Sequence, residues 1–185
     1  DDMLQSLRAS MNETGRFALP ASTAIHSFQV IGERASGTNF LRSIVKKNLN
    51  IQPTNVLGWK HGFPHMTAIP QDCLVLCSVR NPLDWALSMH KRPWHAHPEL
   101  QSLDWSPFIR APWHSIVDRQ DHFADPQAGV QTTGQDLQLD RHPITGELFD
   151  NIFKLRTAKL QSLLGMLNRN CTVAYVQMER ATENP

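Results

Sequence analysis

The protein has 185 residues, 41% hydrophobic and 19% charged, which predicts one globular domain over 1–185. Its formal net charge of +1 argues against a nucleic-acid or membrane-surface partner, because such proteins usually carry a large basic excess. The longest apolar run, CLVLCSV, is too short to span a bilayer, and no signal peptide is visible, so a cytoplasmic location is expected. Because the chain starts with Asp1 rather than Met, a removed leader or anchor stays open as the alternative.

Strands and helices alternate along the chain. The pattern predicts strands over 27–32, 55–60, 73–80 and 172–178, and helices over 38–49, 82–91 and 151–168. Asn81 and Asp150 are the expected caps of the second and third helices. The run CLVLCSVR is apolar almost throughout, as in a parallel strand that is covered on both faces. We therefore predict an α/β fold of three layers, with a central parallel sheet flanked by helices.

Two features qualify this picture. Residues 121–149 are polar and rich in Gly, Pro, Gln and Asp, which is typical of a mobile loop that is either functional or poorly ordered. Cys73 and Cys77 lie four residues apart in one predicted strand, at a distance of about 13 Å, too far for a disulfide. With Cys171 they are predicted to be reduced, buried thiols.

The most informative segment is FQVIGERASGTNFLRSIVKKNL, residues 28–49. Gly32 and Gly37 have the Gly-x4-Gly spacing of a P-loop and stand between a strand and a helix, where free N–H groups and the helix dipole favour an anion. The next residues are Thr38 and Asn39 instead of the Lys and Ser/Thr of nucleotide-hydrolysing enzymes. A plain structural turn is the alternative interpretation.

The stretch SGTNF, preceded by a basic residue, resembles the 5′-phosphosulfate loop of sulfotransferases. That family transfers the sulfuryl group of 3′-phosphoadenosine 5′-phosphosulfate (PAPS) and uses no metal, which would explain the missing lysine. The family's basic residue usually stands at the position of Ala35, whereas here it lies one residue earlier. The resemblance implies a P-loop fold and donor contacts from Arg34, Ser36, Gly37, Thr38, Asn39 and Phe40.

A second segment, VRNPLDWALSMH at 79–90, is similar to the family's 3′-phosphate motif, an arginine and a serine eight residues later. Arg80 leaves the carboxyl end of a predicted parallel strand, where ligands bind in open α/β sheets. Ser88 lies about two helical turns further on, roughly 10 Å along the axis, so both side chains are expected to contact one phosphate. The alternative is a solvated arginine and a surface serine.

The stretch WKHGFPH at 59–65 resembles the Lys-x-His-x-Pro segment that carries the catalytic base in cytosolic sulfotransferases. Lys60 matches the lysine, while His61 stands one position early and Gly62 takes the family's histidine position. Transfer needs a base near the acceptor and a cation near the bridging oxygen, and Lys60 and His61 are the predicted catalytic residues. A structural histidine is the alternative.

Towards the end, AYVQMER is similar to a later family strand, with Glu179 at the glutamate position and Met178 in place of a tyrosine. The family's Arg-Lys-Gly segment does not follow before Pro185, so a fragment or a reduced version of the fold is expected. The resemblance covers 26–92, the predicted donor-binding core, and 148–185. Prolines interrupt the spacing of the histidine pairs at 61/65 and 95/97, and no metal site is predicted.

The resemblance of these segments implies a PAPS-dependent sulfotransferase that acts on a hydroxyl or amine of a small-molecule or glycan acceptor. PAPS is the expected co-substrate, and no metal is expected. One alternative is a P-loop kinase, which would need magnesium and a lysine from elsewhere. Another is a truncated domain that binds PAPS without turnover. The sequence identifies neither the acceptor nor the oligomeric state.

Overall fold

The computed structural model describes residues 24–66, 68–118 and 134–183. Over these ranges its elements are β1 (Ser27–Gly32), α1 (Thr38–Asn48), β2 (Gln52–Pro53), β3 (Cys73–Val79), α2 (Pro82–Lys91), α3 (Pro98–Gln101), α4 (Trp105–Phe108), a 3-10 turn (Gln138–Asp140), α5 (Ile152–Leu164), a second 3-10 turn (Gly165–Asn168), β4 (Thr172–Gln177) and α6 (Met178–Glu183). No helix in the described ranges is long and apolar enough to cross a membrane.

The described residues group into two compact units. One lies within Asp1–Asn81 and Gln161–Pro185 and contains all four strands; we call it the sheet unit. The other lies within Pro82–Leu160 and contains α2 to α4 and most of α5; we call it the helical unit.

The sheet has four parallel strands in the order β2-β1-β3-β4. Ser27 of β1 lies opposite Cys73 of β3, and Leu74 of β3 lies opposite Thr172 of β4. β3 has a neighbour on both edges and is buried over most of its length, as its apolar sequence predicts. The α/β class is thereby confirmed, while the three-layer P-loop form stays a prediction.

The strand predicted over 55–60 is wrong. The second strand is the shorter Gln52–Pro53, where the N–H groups of Gln52 and Thr54 donate to backbone carbonyls at the start of β1, each at 2.9 Å. Residues 55–60 form turns instead, since Gly58 has a φ of +81° that a strand cannot contain. The apolar residues that suggested a strand include Leu57, which is buried within the turn.

Helix α1 packs on β1 through the apolar stripe that predicted it. Leu41 and Val45 are four residues apart, lie on the same helix face and are buried against Phe28, Val30 and Leu76. This cluster packs α1 against β1. The loop that joins them, residues 33–37, is therefore held in place at both of its ends.

The three cysteines are free thiols, as predicted; Cys73 and Cys77 are buried, whereas Cys171, predicted to be buried, is half-buried. Burial raises the pKa of Cys77 to about 12 and also raises the pKa values of Cys73 and Cys171. Because the thiolate is the reactive form, these shifts lower the reactivity of the three thiols at neutral pH while the sheet unit is folded.

The cap of α5 is Asn151 and not Asp150. The Asn151 Oδ1 accepts hydrogen bonds from the N–H groups of Phe153 and Lys154, each at 3.0 Å. These are the second and third helical residues, which is the relation that an N-cap side chain requires. The helix predicted over 151–168 is otherwise found, with its last four residues in the 3-10 turn.

The mobile loop predicted over 121–149 falls partly on 119–133, which lie outside the described residues. In the remaining part, Leu137 and Phe149 are buried, and isolated bridges pair Phe149 with Trp113 and Asp136 with Ile116. This second half of the polar stretch therefore packs into the helical unit. Mobility of the loop stays a prediction.

A buried charge pair joins Asp140 to Lys159 in the helical unit. The Lys159 Nζ lies 3.1 Å from the Asp140 Oδ1, with side chains only 6% and 3% exposed. Ser115 Oγ donates to the other carboxylate oxygen at 2.6 Å, and Lys159 also donates to the Leu139 carbonyl at 2.9 Å. Buried charges are tolerated when each has such partners, and breaking one partner away is costly.

We therefore expect Lys159→Met to lower the free energy of unfolding by about 3–5 kcal/mol, because Asp140 would stay buried without its cation. Urea denaturation followed by circular dichroism measures this change. Lys154→Met, in the same helix but exposed, is the matched control and should change stability by less than about 0.5 kcal/mol. Equal effects of the two substitutions would show that the pair does not stabilise the unit.

Candidate functional site

Two glycines shape the loop between β1 and α1. Gly32 lies so close to β3 that a Cβ on it would stand 2.6 Å from the Ser78 carbonyl oxygen. Gly37 precedes α1 with a φ of +83°, and a Cβ there would stand 2.0 Å from the Met178 sulfur. A side chain at position 32 would therefore collide with the backbone of β3, and one at position 37 would displace the Met178 side chain and adopt a strained φ. Both glycines are needed for the path of the backbone through this loop.

The loop is braced from inside and from β3. Ser36 is fully buried, and its Oγ donates to the Glu33 carbonyl at 2.6 Å. Ser78 Oγ of β3 donates to the Ser36 carbonyl at 2.5 Å, and Arg80 Nη1, directly after β3, donates to the Ala35 carbonyl at 2.9 Å. The Ser36 hydroxyl, predicted as a donor to the phosphosulfate, thus donates to the loop itself in this structure.

The start of α1 is the feature of this loop that suits an anion. Gly37 supplies no side-chain cap, and helix geometry leaves the first N–H groups without intrahelical acceptors. The helix dipole adds partial positive charge at the same place. Among the predicted contacts here, Thr38 is buried, Phe40 is half-buried and Asn39 is exposed.

Lys60 and His61 both reach this loop. They lie in a turn at 59–62 that a backbone hydrogen bond of 2.9 Å closes. The Lys60 ammonium donates to the Asn39 Oδ1, at the start of α1. The His61 Nδ1 lies 2.8 Å from the Gly32 carbonyl oxygen, at the end of β1. Because a carbonyl only accepts, Nδ1 carries the proton of this bond and Nε2 carries the basic lone pair.

Two further cations belong to the same region. Burial lowers the pKa of Lys60, and the positive charge of Arg42 lowers it further. A bound anion would offset both effects, since an opposite charge favours the ammonium. Arg34 is buried, and its guanidinium lies 5.8 Å from the centre of the Trp59 ring, a cation–π distance. The ring thus supports Arg34 beside the turn that carries Lys60.

Gln29 fixes the chain that leads into this turn, a role that the motifs did not indicate. Its side chain is 2% exposed in the middle of β1. Its Oε1 accepts the Leu57 N–H, and its Nε2 donates to the Gly58 carbonyl, both at 2.8 Å. Gln29 therefore holds the chain just before Lys60. The sequence contains one indication of this role: Gln29 is a polar residue within the apolar run SFQVIG. Because buried polar groups are almost always hydrogen-bonded, a partner for its side chain could have been expected.

Arg80 stands directly after β3, as predicted, next to Glu179. The Arg80 Nε lies 3.8 Å from the Glu179 Oε1, and the Asn81 N–H donates to the same oxygen at 3.0 Å. Burial opposes ionisation of Glu179, but backbone hydrogen bonds and the charge of Arg80 hold its pKa below the ordinary value. Ser88 lies in α2, within the helical unit, and its pairing with Arg80 stays a prediction.

No family model, no curated protein and no solved structure matches the chain. Among the described residues, no group of three or more His, Cys, Asp or Glu side chains is placed to hold a metal ion. The function is therefore inferred from the loop and from the side chains around it.

We expect Gln29→Leu to lower the free energy of unfolding by about 2 kcal/mol or more, because it leaves the Leu57 N–H and the Gly58 carbonyl without their partner. Urea denaturation measures the loss. Gln161→Leu, at an exposed position of the sheet unit, is the control and should be nearly neutral. A Gln29 variant as stable as this control would mean that the amide does not hold the turn.

Proposed function

We propose that the protein is a sulfotransferase with a P-loop fold, which moves the sulfuryl group of PAPS to an acceptor hydroxyl or amine. The contact between Lys60 and Asn39 carries this proposal. A nucleotide-hydrolysing P-loop has its lysine within the loop itself. Here the loop has none, and a separate turn brings an ammonium to the start of the helix. Such a cation suits an anionic donor whose transfer requires no metal.

In the proposed complex, the phosphosulfate lies at the start of α1, where the N–H groups of Gly37, Thr38 and Asn39 face it. Arg34 contributes to the phosphosulfate end of the donor, and Phe40 packs near the adenine. Arg80 and Ser88 bind the 3′-phosphate. These assignments rest on the resemblance, and the position of Arg80 at the end of β3, beside the Ala35 carbonyl, supports its part in them.

The chemical step is an in-line displacement at sulfur. The acceptor oxygen or nitrogen forms a bond to sulfur while the bond from sulfur to the bridging phosphate oxygen breaks. The leaving electron pair stays on that oxygen, which Lys60 stabilises by its charge. The acceptor proton passes to the Nε2 of His61, whose Nδ1 hydrogen bond to Gly32 sets the required tautomer. The products are the sulfated acceptor and adenosine 3′,5′-bisphosphate.

Titration calorimetry with adenosine 3′,5′-bisphosphate tests the donor site. We expect micromolar binding in the presence of a chelator, with ATP and magnesium binding more weakly. Arg80→Ala should weaken the bisphosphate more than adenosine 5′-phosphate by about 2–5 kcal/mol, the cost of removing one partner of a desolvated charge pair. Arg169→Ala, an exposed arginine of the sheet unit, is the matched control.

Arg80 also donates to the loop, so the comparison of the two ligands is essential. Equal losses for both would show that Arg80 only braces the loop and does not contact the 3′-phosphate. Tighter binding of ATP with magnesium would replace the sulfotransferase by a kinase. Tight bisphosphate binding without any transfer would indicate a non-catalytic PAPS-binding domain.

The role of His61 is tested by transfer of the sulfuryl group from PAPS to water, a reaction that needs no identified acceptor. His61→Ala should lower the rate by about 10²–10⁴-fold and leave bisphosphate binding nearly unchanged. In His61→Asn the amide can still donate to the Gly32 carbonyl, so a loss common to both variants reports the missing base. If both His61 variants kept the wild-type rate, His61 would not be the base, and His65 or Glu33 would be the next candidates.

A further inference from the structure

The helical unit contains a cavity that the proposed transfer reaction does not use. Its volume is about 390 Å³, at the low end of the roughly 300–1,000 Å³ typical of small-molecule sites. Among the described residues it is lined by Arg92, Pro93, Trp94, Gln101 and Asp118. The lining thus combines an apolar wall, an amide and two side chains of opposite charge.

The backbone around this cavity is held in place by short hydrogen bonds. The Trp94 N–H donates to the Arg92 carbonyl at 2.8 Å, and the Ala96 N–H donates to the Pro93 carbonyl at 3.0 Å. The Gln101 Nε2 donates to the Ala96 carbonyl at 2.7 Å and so ties α3 to this turn. Because these groups are paired, the cavity wall is organised before any ligand arrives.

The Asp118 carboxylate is held from two sides by His95. The His95 N–H donates to one carboxylate oxygen at 2.9 Å, and its Nδ1 lies 2.5 Å from the other. His95 is 6% exposed and has a φ of +63°, which is rare for a residue other than glycine. Backbone strain of this kind is found where the structure fixes a ligand-binding geometry. His95 thereby directs the carboxylate at one wall of the cavity.

Arg92 and Trp94 provide the complementary surface. The Arg92 guanidinium makes no hydrogen bond or ion pair to the described part of the chain, although its backbone N–H donates to Ser88. The Trp94 side chain is 45% exposed, in contrast to Trp85 and Trp113 at 2% and 1%. An accessible indole attracts cations over its face and packs against apolar groups.

We propose that this cavity binds a small zwitterion of the α-amino acid class, with an apolar side chain. The carboxylate of the ligand pairs with Arg92, whose planar guanidinium suits two parallel hydrogen bonds. The ammonium pairs with Asp118, and the side chain packs on Trp94 and Pro93. A neutral ligand would leave Arg92 without an anionic partner, and a simple amine would meet the repulsion of Arg92.

Three probes that share one phenyl group test this proposal by NMR titration of the full chain: L-phenylalanine, 2-phenylethylamine, which lacks the carboxylate, and 3-phenylpropionate, which lacks the ammonium. L-phenylalanine should bind about tenfold or more tighter than either analogue, since each lost partner is a charged hydrogen bond. The measurement involves neither PAPS nor turnover, so it is independent of the sulfotransferase proposal.

Variants then assign each contact. Arg92→Gln should lower the affinity for L-phenylalanine to that for 2-phenylethylamine and leave the latter unchanged or improved. Asp118→Asn should reduce the affinity for L-phenylalanine to that for 3-phenylpropionate, and Trp94→Ala should weaken the binding of all three probes. Arg110→Gln, an exposed arginine of the same unit, is the matched control. Thermal unfolding of each variant shows whether it is folded.

Three results would overturn the proposal. One is equal affinity for the three probes, and another is no binding of L-phenylalanine at millimolar concentration. The third is an affinity for L-phenylalanine that a folded Arg92→Gln variant retains in full. Tighter binding of an uncharged ligand such as methyl β-glucoside would assign the cavity to saccharides instead.

Discussion

Six parallel residue pairs join β1 to β3, and the last of them sets Gly32 beside Ser78. At this point the two strands come too close for a side chain on Gly32. The same approach lets the Ser78 hydroxyl reach the Ser36 carbonyl. The position of the loop, the start of α1 and the reach of Lys60 and His61 all depend on where β1 ends, so this contact supports the part of the proposed donor site that lies in the sheet unit.

The elements that define the sheet were predictable because their signals are local. β1, β3 and β4 are short apolar runs, and α1 has apolar residues at helical spacing, so period and composition identify them. Two hydrogen bonds are not given by such local signals: the cap of α5, which is Asn151 and not the predicted Asp150, and the bond from the Ser36 hydroxyl to the Glu33 carbonyl. In both cases several oxygens lie within reach of the same N–H or O–H group, and the folded backbone decides which of them accepts its hydrogen bond.

The contacts around Lys60 could not be predicted from sequence patterns, because they join residues that are far apart in the sequence. Gln29 reaches residues 57 and 58, nearly thirty positions away, and spacing carries no trace of that pair. The local charge around Lys60 also depends on contacts between residues far apart in the sequence. The chain as a whole has a net charge of +1, yet in the sheet unit the positive charge of Arg42 lies close enough to Lys60 to lower its pKa. A nearly neutral protein can therefore present a locally positive site.

The short strand β2 affects whether a second copy of the protein can pair with this edge of the sheet. In the described sheet β2 is an outer strand, and the N–H groups of Gln52 and Thr54 point inward to β1. Residue 53 faces the opposite way, and as a proline it has no N–H to offer. A second chain approaching this side would find a carbonyl but no donor, and only two residues of strand to pair with. The β2 edge thus lacks the N–H group on which intermolecular β-pairing depends, which protects this edge of the described sheet against pairing with another chain.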